Sequence, residues 1–158
     1  YYEMMEPGYN YRLSDIHAAL GLSQLGKLGH FADRRRMIVE TYDRRLTEFA
    51  PILRPIARMP GCKVAWHLYP VLIDYKAIGL DRAEFMKRLR KKGVGTQVHY
   101  IPVSSQPYYQ NLYGSQDLPG AQAYYARTLS FPLFPNMTDG DIDRVVEALE
   151  EIMELASK

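Results

Sequence analysis

The feature that most constrains this sequence is a long amphipathic pattern near its C-terminal end. Apolar residues recur there at helical spacing: Ile142, Val145, Val146, Leu149, Ile152, Met153 and Ala156. Thr138 and Asp141 stand just before them in the spacing of a capping box. The pattern predicts a final helix that buries one face against a core. A chain of 158 residues is long enough to build such a core as one compact domain.

Weaker patterns upstream predict the remaining elements. Helices are predicted from Ser14 onward, over residues 30–49, from Asp81 to Gly93 and over 121–127, with 106–113 as a loop or broken helix. Segments rich in β-forming residues predict strands at 64–73, 96–101 and 129–133. Pro70 indicates an edge position or a bulge for the first strand. The order predicts an α+β fold, with a small, mostly antiparallel sheet of about three strands and helices packed on one face.

Composition excludes several classes of protein. The net charge of +2 and the lack of basic–aromatic alternation in any strand oppose a nucleic-acid binder. No run of 18 apolar residues predicts a membrane span, and the N-terminus has no signal-peptide pattern. The single cysteine, Cys62, rules out an internal disulfide and fits a reducing compartment. We therefore expect a cytoplasmic protein that binds neither nucleic acid nor membrane.

Motifs for metal binding or catalysis do not occur in the sequence. The sequence has four histidines: His17, His30, His67 and His99. None of them stands at metal-ligand spacing from another His, Cys or carboxylate, and the sequence contains no CxxC or HExxH motif. No nucleophile elbow, P-loop or dinucleotide-binding fingerprint is present. The residues alone therefore predict no metal site and no catalytic residue.

Two stretches could contact a ligand. In the first, GYNYRLSD, Asn10 and Arg12 precede a helix N-terminus, a combination that suits an oxyanion such as a phosphate. In the second, QVHYIPV from Gln97, a strand delivers polar and aromatic groups into a loop, as in half of a ligand pocket. By composition alone, a turn with a surface charge and a strand end with ordinary aromatic residues are the more common explanations.

The ordered set of these stretches resembles a known family. GYNYRLSDIHAALGLSQLGKL, WHLYPVLID, GVGTQVHYIPV, QPYY and LSFPLFPNMTDGDIDRVVEAL are similar, in that order, to the C-terminal part of the DegT-type sugar aminotransferases. These are fold-type I enzymes that depend on pyridoxal phosphate. Within the family, the sequence looks most like the enzymes that aminate carbon 4 of a UDP-linked 4-keto-6-deoxy-N-acetylhexosamine.

The resemblance implies roles for six residues. Asn10 matches an asparagine that reaches the cofactor phosphate of the other subunit of a homodimer, and Arg12 matches its neighbour in that region. The segment that contacts the nucleotide-sugar is matched by Gln97, Val98, His99 and Tyr100. Glutamate is the implied amino donor. The implied organisation is an interface segment and linking helix at 1–30, followed by the C-terminal small domain at 31–158.

The resemblance also implies that a large part of the enzyme precedes this region. The family's catalytic lysine lies there, and no lysine of this sequence stands in a similar segment. The chain opens on Tyr1 without an initiator methionine, which suggests a fragment or a processed chain. We expect the chain to be inactive alone and to bind no cofactor by itself. The alternative is a non-catalytic dimerisation or partner module that complements a separate large domain.

Overall fold

The computed structural model describes residues 6–156. Within that range the helices are α1 (Asp15–Leu25), α2 (Leu28–Arg45), α3 (Arg82–Lys91), α4 (Pro107–Tyr113), α5 (Pro119–Arg127) and α6 (Asp139–Ala156). The strands are β1 (Leu53–Pro55), β2 (Tyr69–Ile73) and β3 (Thr128–Phe131). Short 3₁₀ helices occupy Leu46–Phe49 and Val103–Ser105.

The strands form one antiparallel sheet in the order β1-β2-β3. Leu53 pairs with Ile73 on one side of β2, and Leu72 pairs with Thr128 on the other. The predicted α+β class with a three-stranded antiparallel sheet is confirmed. The membership of the sheet differs, because β1 lies in a segment that the sequence analysis left without structure, and 96–101 is not one of the strands.

One face of the sheet holds the core. Residues paired across antiparallel strands project to the same side, so Leu53, Tyr69, Val71, Ile73, Leu129 and Phe131 share this face, and all are buried. Tyr42 of α2 stacks on Tyr69 with ring centroids 4.8 Å apart. The same cluster includes Phe85 and Leu89 of α3 and five residues of the α6 stripe: Ile142, Val145, Val146, Leu149 and Ile152. Helices α2, α3 and α6 therefore form the hydrophobic core with this face.

The hydroxyls of Tyr42 and Tyr69 in this core have polar partners. Tyr42 donates to the carbonyl oxygen of Pro132 at 3.1 Å, and Tyr69 donates to Oδ1 of Asp43 at 2.8 Å. Arg58 holds the same carboxylate through both of its terminal nitrogens, at 2.6 and 2.7 Å. Burial and then the bond to Asp43 raise the pKa of Tyr69 above its usual value. Asp43 thus links α2, β2 and the segment after β1.

The expectation that Pro70 marks an edge or a bulge is wrong, because β2 is the central strand. Pro70 pairs with Ser130, whose own N–H and C=O point away from β2 and bond to Gln97. The imino nitrogen of Pro70 therefore faces the β1 side, just past the end of β1, where the Pro70 carbonyl accepts from Ile56 at 3.5 Å. The missing N–H of Pro70 removes only the second bond of this pair with Ile56, where β1 ends. The ladder with β3 is intact, so a central strand tolerates the proline.

The predicted strand at 96–101 is reduced to a single bridge between Gln97 and Ser130. The next hydrogen-bonded pair in one direction would need the N–H of Thr128, which instead donates to the Tyr124 carbonyl at the end of α5. In the other direction it would need the N–H that Pro132 lacks. The ladder therefore ends after one pair, and the peptide bond from His99 to Tyr100 is cis.

The helix caps follow the sequence closely. Asp81 accepts from the Glu84 amide at 2.7 Å at the start of α3, and Gly93, with φ at 80°, follows its end. Thr138 and Asp141 form the reciprocal capping box at the start of α6. The Asp141 carboxylate accepts hydrogen bonds from the Thr138 amide and hydroxyl, and these bonds hold the pKa of Asp141 below its usual value. The prediction of the final helix is confirmed.

Candidate functional site

The first candidate region lies just before α1. The side-chain oxygen of Asn10 accepts from the Arg12 amide at 3.1 Å, which fixes the turn. Ser14 then caps the helix by accepting from the His17 amide at 3.4 Å. Both Asn10 and Arg12 are exposed. The Asn10 NH₂ group and the Arg12 guanidinium have no hydrogen-bond partner among the residues that the structure describes, so both can donate to an anion.

Helix α1 itself has no buried residue. Ile16 is 82 % exposed and Leu22 is 74 % exposed, although both are apolar. Together with the turn before it, the helix presents an "α1 surface" made of Tyr9, Tyr11, Leu13, Ile16, Leu20, Leu22, Leu25 and Leu28. An exposed apolar surface of this extent is typical of a face that another protein region covers.

The second candidate region is the segment from Gln97 to Tyr100. His99 is half-buried, and its Nδ1 lies 2.9 Å from the hydroxyl of Ser130 in β3. The Gln97 side chain turns back to accept from the Val98 amide at 3.1 Å. Tyr100 is exposed and sets its ring edge-on to that of His99, with centroids 4.7 Å apart. The segment therefore offers an imidazole and a phenol at one edge of the sheet.

An open groove of about 450 Å³ follows this segment. Its walls come from the loop after Ile101 and from α4, whose Tyr109 and Tyr113 rings lie parallel with centroids 6.4 Å apart. The sequence indicates a loop or broken helix at 106–113, whereas the structure has a complete helix over Pro107–Tyr113. Pro107 in its first turn is a signal that would have indicated this start.

The two candidate regions are separate in this chain. No hydrogen bond or ring contact among the described residues joins Asn10 or Arg12 to the segment 97–100. Sequence reasoning also missed Ser130 and Tyr124, which both bond to His99. The Ser130 hydroxyl lies near Nδ1 of the His99 ring, and the Tyr124 hydroxyl lies 3.5 Å from the His99 carbonyl oxygen. The signal for Ser130 was its place between two apolar residues of a strand, on the face opposite to theirs.

Among residues 6–156, no group of three or more His, Cys, Asp or Glu side chains is placed to hold a metal ion. No helix in that range combines the length and the apolar character that crossing a bilayer requires.

Known proteins resemble the chain over nearly its whole length. It is 41 % identical over 156 residues to the spore coat polysaccharide biosynthesis protein SpsC of Bacillus subtilis, covering 97 % of this chain and 40 % of SpsC. Helicobacter pylori PseC, an aminotransferase involved in the biosynthesis of pseudoaminic acid, superimposes with a TM-score of 0.86 at 30 % identity. The match covers 97 % of this chain and 41 % of PseC. The PLP form of the putative sugar aminotransferase Spr1654 from Streptococcus pneumoniae gives 0.84 at 26 %, covering 99 % and 40 %.

The chain spans about two fifths of the length of these relatives. A family model matches residues 1–150 of it, and that model describes the DegT/DnrJ/EryC1/StrS aminotransferases. The match covers more than nine tenths of the sequence and includes both candidate regions. The chain belongs to the DegT/DnrJ/EryC1/StrS aminotransferase family.

Proposed function

We propose that the chain is the C-terminal part of a nucleotide-sugar aminotransferase that depends on pyridoxal phosphate. The intact enzyme transfers an amino group from glutamate to a UDP-linked 4-keto-6-deoxy sugar during synthesis of a cell-surface polysaccharide or glycan. The observation that carries the proposal is the family match over residues 1–150. The names of SpsC and PseC, which refer to polysaccharide and pseudoaminic acid biosynthesis, support the sugar substrate.

The turn before α1 fits the phosphate of the cofactor in its donor chemistry. The NH₂ group of Asn10 and the Arg12 guanidinium have no partner there among the described residues, and hydrogen bonds to a charged phosphate are stronger than bonds between neutral groups. Asn10 and Arg12 would hold that phosphate from the neighbouring subunit. When bound in the intact enzyme, pyridoxal phosphate supplies the carbonyl and ring that accept an amino group and stabilise negative charge. The lysine and the ring contacts would come from the large domain.

The segment from Gln97 to Tyr100 would bind the nucleotide-sugar. Its imidazole and phenol can bond to the oxygen atoms of a diphosphate or a sugar. An open groove follows the segment along the chain, with its lining beginning at Pro102. The backbone of Gln97 is fixed by its bridge to Ser130, and Val98 is half-buried beside the core. The substrate-facing side chains are therefore built on the edge of a rigid sheet.

The α1 surface fits the proposed organisation. Residues 1–30 would form the interface segment and linking helix, and 31–158 the small domain. In a cytoplasmic homodimer this surface would be covered by the large domain and the second subunit. Ile38 of α2 is the first residue of the core cluster along the described chain, which agrees with a boundary near residue 30.

The alternative is a non-catalytic module that pairs with a separately encoded large domain. The same α1 surface supports it, because either a covalently joined or a separate domain would bury these side chains. Copurification separates the two. A distinct large subunit that is recovered with the native protein would favour the module.

The direct test of the proposed function joins the chain behind the large domain of SpsC. The fusion is expected to bind pyridoxal phosphate and to transfer amino groups from glutamate to a UDP-linked 4-keto-6-deoxy sugar. The matched control is the same fusion without its catalytic lysine. A fusion that folds and binds the cofactor, yet aminates no keto-sugar nucleotide, would contradict the proposal.

The chain alone is expected to be inactive and to form no stoichiometric covalent adduct with pyridoxal phosphate. No lysine in it stands in a segment like the catalytic one, so amino transfer lacks its covalent handle. Absorption spectra with the cofactor, taken before and after borohydride treatment, measure this. A stoichiometric adduct that mass spectrometry maps to one lysine would refute the expectation.

The isolated chain is also expected to self-associate through the α1 surface, because its apolar side chains are otherwise left in water. Sedimentation velocity over a range of concentrations should show a mass that rises with concentration. Replacing Ile16 and Leu20 by glutamate should abolish the rise, whereas Met59→Glu, at an exposed position elsewhere, should not. A monomer at every concentration would argue against this role of the surface.

A further inference from the structure

We infer that Ser130 is a positioning residue: its hydroxyl donates to Nδ1 of His99 and holds the imidazole as the tautomer that carries its proton on Nε2. His99 then presents one N–H donor on its other side. The proposed ligand for that donor is an oxygen acceptor of the nucleotide-sugar, and this half of the inference rests on the proposed function. The half that concerns Ser130 and the tautomer rests only on contacts within the chain.

The backbone of Ser130 is fixed from two sides. Its amide donates to the Gln97 carbonyl at 2.8 Å and its carbonyl accepts from the Gln97 amide at 3.2 Å, while on the other side it pairs with Pro70 of β2. The residue is 4 % exposed. Because a buried strand residue has little freedom, the position of its hydroxyl is set by the sheet. The imidazole nitrogen lies 2.9 Å from that hydroxyl, within hydrogen-bond distance.

The direction of the bond follows from the burial of the serine. Among the described residues, the only partner of the Ser130 hydroxyl is Nδ1 of His99. If Nδ1 carried the proton, the serine would accept, and its own hydroxyl proton would be buried without an acceptor. Buried donors without partners are rarer and more costly than acceptors with a spare lone pair. The hydroxyl therefore donates, and the neutral ring must carry its proton on Nε2.

The outer side of the ring is left for a ligand. Nε2 has no hydrogen-bond partner among the residues the structure describes, and His99 is half-exposed beside Tyr100. An Nε2–H donor selects acceptors, such as the oxygens of a diphosphate or a carbonyl, and is mismatched to an N–H or ammonium group. The hydroxyl in β3 thus determines which kind of atom the loop can recognise.

The chain offers a matched control in Thr128. It lies two residues before Ser130, on the same face of the same strand, and is fully buried. Its hydroxyl has no partner among the described residues. Thr128→Val removes a buried hydroxyl as Ser130→Ala does, but no bond to His99. It should leave His99 unchanged and should not lower stability, because an unpaired buried hydroxyl contributes nothing favourable.

The experiment is long-range ¹H–¹⁵N correlation NMR of the imidazoles in this chain, with His99 assigned by its loss in His99→Gln. The wild type and Thr128→Val are expected to show the Nε2–H form. Ser130→Ala is expected to show a mixture of tautomers, and Ser130→Thr, which keeps the hydroxyl, to retain the Nε2–H form. An Nδ1–H form in the wild type would overturn the inference even if Ser130→Ala failed to fold. An unchanged tautomer in a folded Ser130→Ala would also overturn it.

Titration with uridine diphosphate tests the ligand separately. It is expected to shift the His99 resonances of the wild type and of Thr128→Val, and to shift them less in Ser130→Ala. If the tautomer responds as expected but the nucleotide shifts no wild-type resonance, the proposed nucleotide contact fails while the role of Ser130 stands. If the tautomer does not depend on Ser130, the inference about Ser130 fails whatever the nucleotide does.

Discussion

Asn10→Ala, in an intact dimer that joins this chain to a matching large domain, is expected to weaken cofactor binding by roughly ten- to a hundredfold. The side-chain NH₂ group of Asn10 has no hydrogen-bond partner among the described residues, while its oxygen accepts from the Arg12 amide in the turn before α1. A hydrogen bond from it to a dianionic phosphate is charge-assisted, so its loss costs about 1.5–3 kcal/mol. Equilibrium dialysis against pyridoxal phosphate measures the effect.

Mixed dimers show whether Asn10 acts across the interface. Asn10→Ala subunits are combined with subunits that lack the catalytic lysine. If Asn10 reaches the other subunit's cofactor, one site of the mixed dimer has both an intact lysine and an intact asparagine, and one high-affinity site returns. If it acts within its own subunit, the lysine-bearing site also carries the lesion, and affinity stays weak. Unchanged affinity in the simple Asn10→Ala dimer would leave Asn10 as an ordinary turn residue.

Phe85→Ala is expected to lower the free energy of unfolding of this chain by about 3–5 kcal/mol. The Phe85 ring is fully buried and meets the ring of Tyr75 edge-on, with centroids 5.8 Å apart. Its removal loses apolar contact and leaves a cavity between α3 and the sheet. Since a domain of this size is stable by about 5–15 kcal/mol, the loss is a large share of the total. Urea denaturation with an unchanged slope is the measurement.

The matched control is Leu22→Ala, in α1. Leu22 is apolar and helical like Phe85 but mostly exposed, so truncation should change stability by no more than about 0.5 kcal/mol. Both variants are to be compared at a concentration where the chain is monomeric. Equal losses would mean that α1 packs against the core in solution, contrary to the structure.

The helices were largely predictable because their signals are local. The cap of α3 by Asp81 and the box at Thr138 and Asp141 each depend on residues within one turn, and the stripe of α6 has a clear period. Helix α1 was predictable in position but not in its exposure. A cap and a period say that a helix forms, but they do not say what covers it.

The strands were less predictable because their limits depend on distant partners. β1 contains Pro55 and is only three residues long, so what defines it as a strand is its pairing with β2. The segment 96–101 has strand composition, yet the Thr128 amide and Pro132 withhold the bonds that would extend its ladder. The amino-acid composition of a segment does not show which distant segment it will pair with in a sheet.

The candidate site was predictable in its outer part only. Asn10, Arg12, Gln97, Val98, His99 and Tyr100 came from resemblance to a family whose model the chain matches, and their roles remain predictions. Ser130 was not predictable, because its importance comes from a contact with a residue 31 positions away.

Mutations on the two faces of β3 are expected to have different effects, although the strand is only four residues long. Leu129 and Phe131 face the core, whereas Thr128 and Ser130 face the opposite side. In a screen that scores cellular abundance and ligand recognition separately, polar replacements at 129 and 131 should remove the protein itself. Loss of the hydroxyl at 130 should spare abundance and impair recognition, and at 128 it should do neither. Successive side chains of a strand point to opposite faces of the sheet. Mutations at successive positions of β3 would therefore alternate between those that lower abundance and those that leave abundance unchanged.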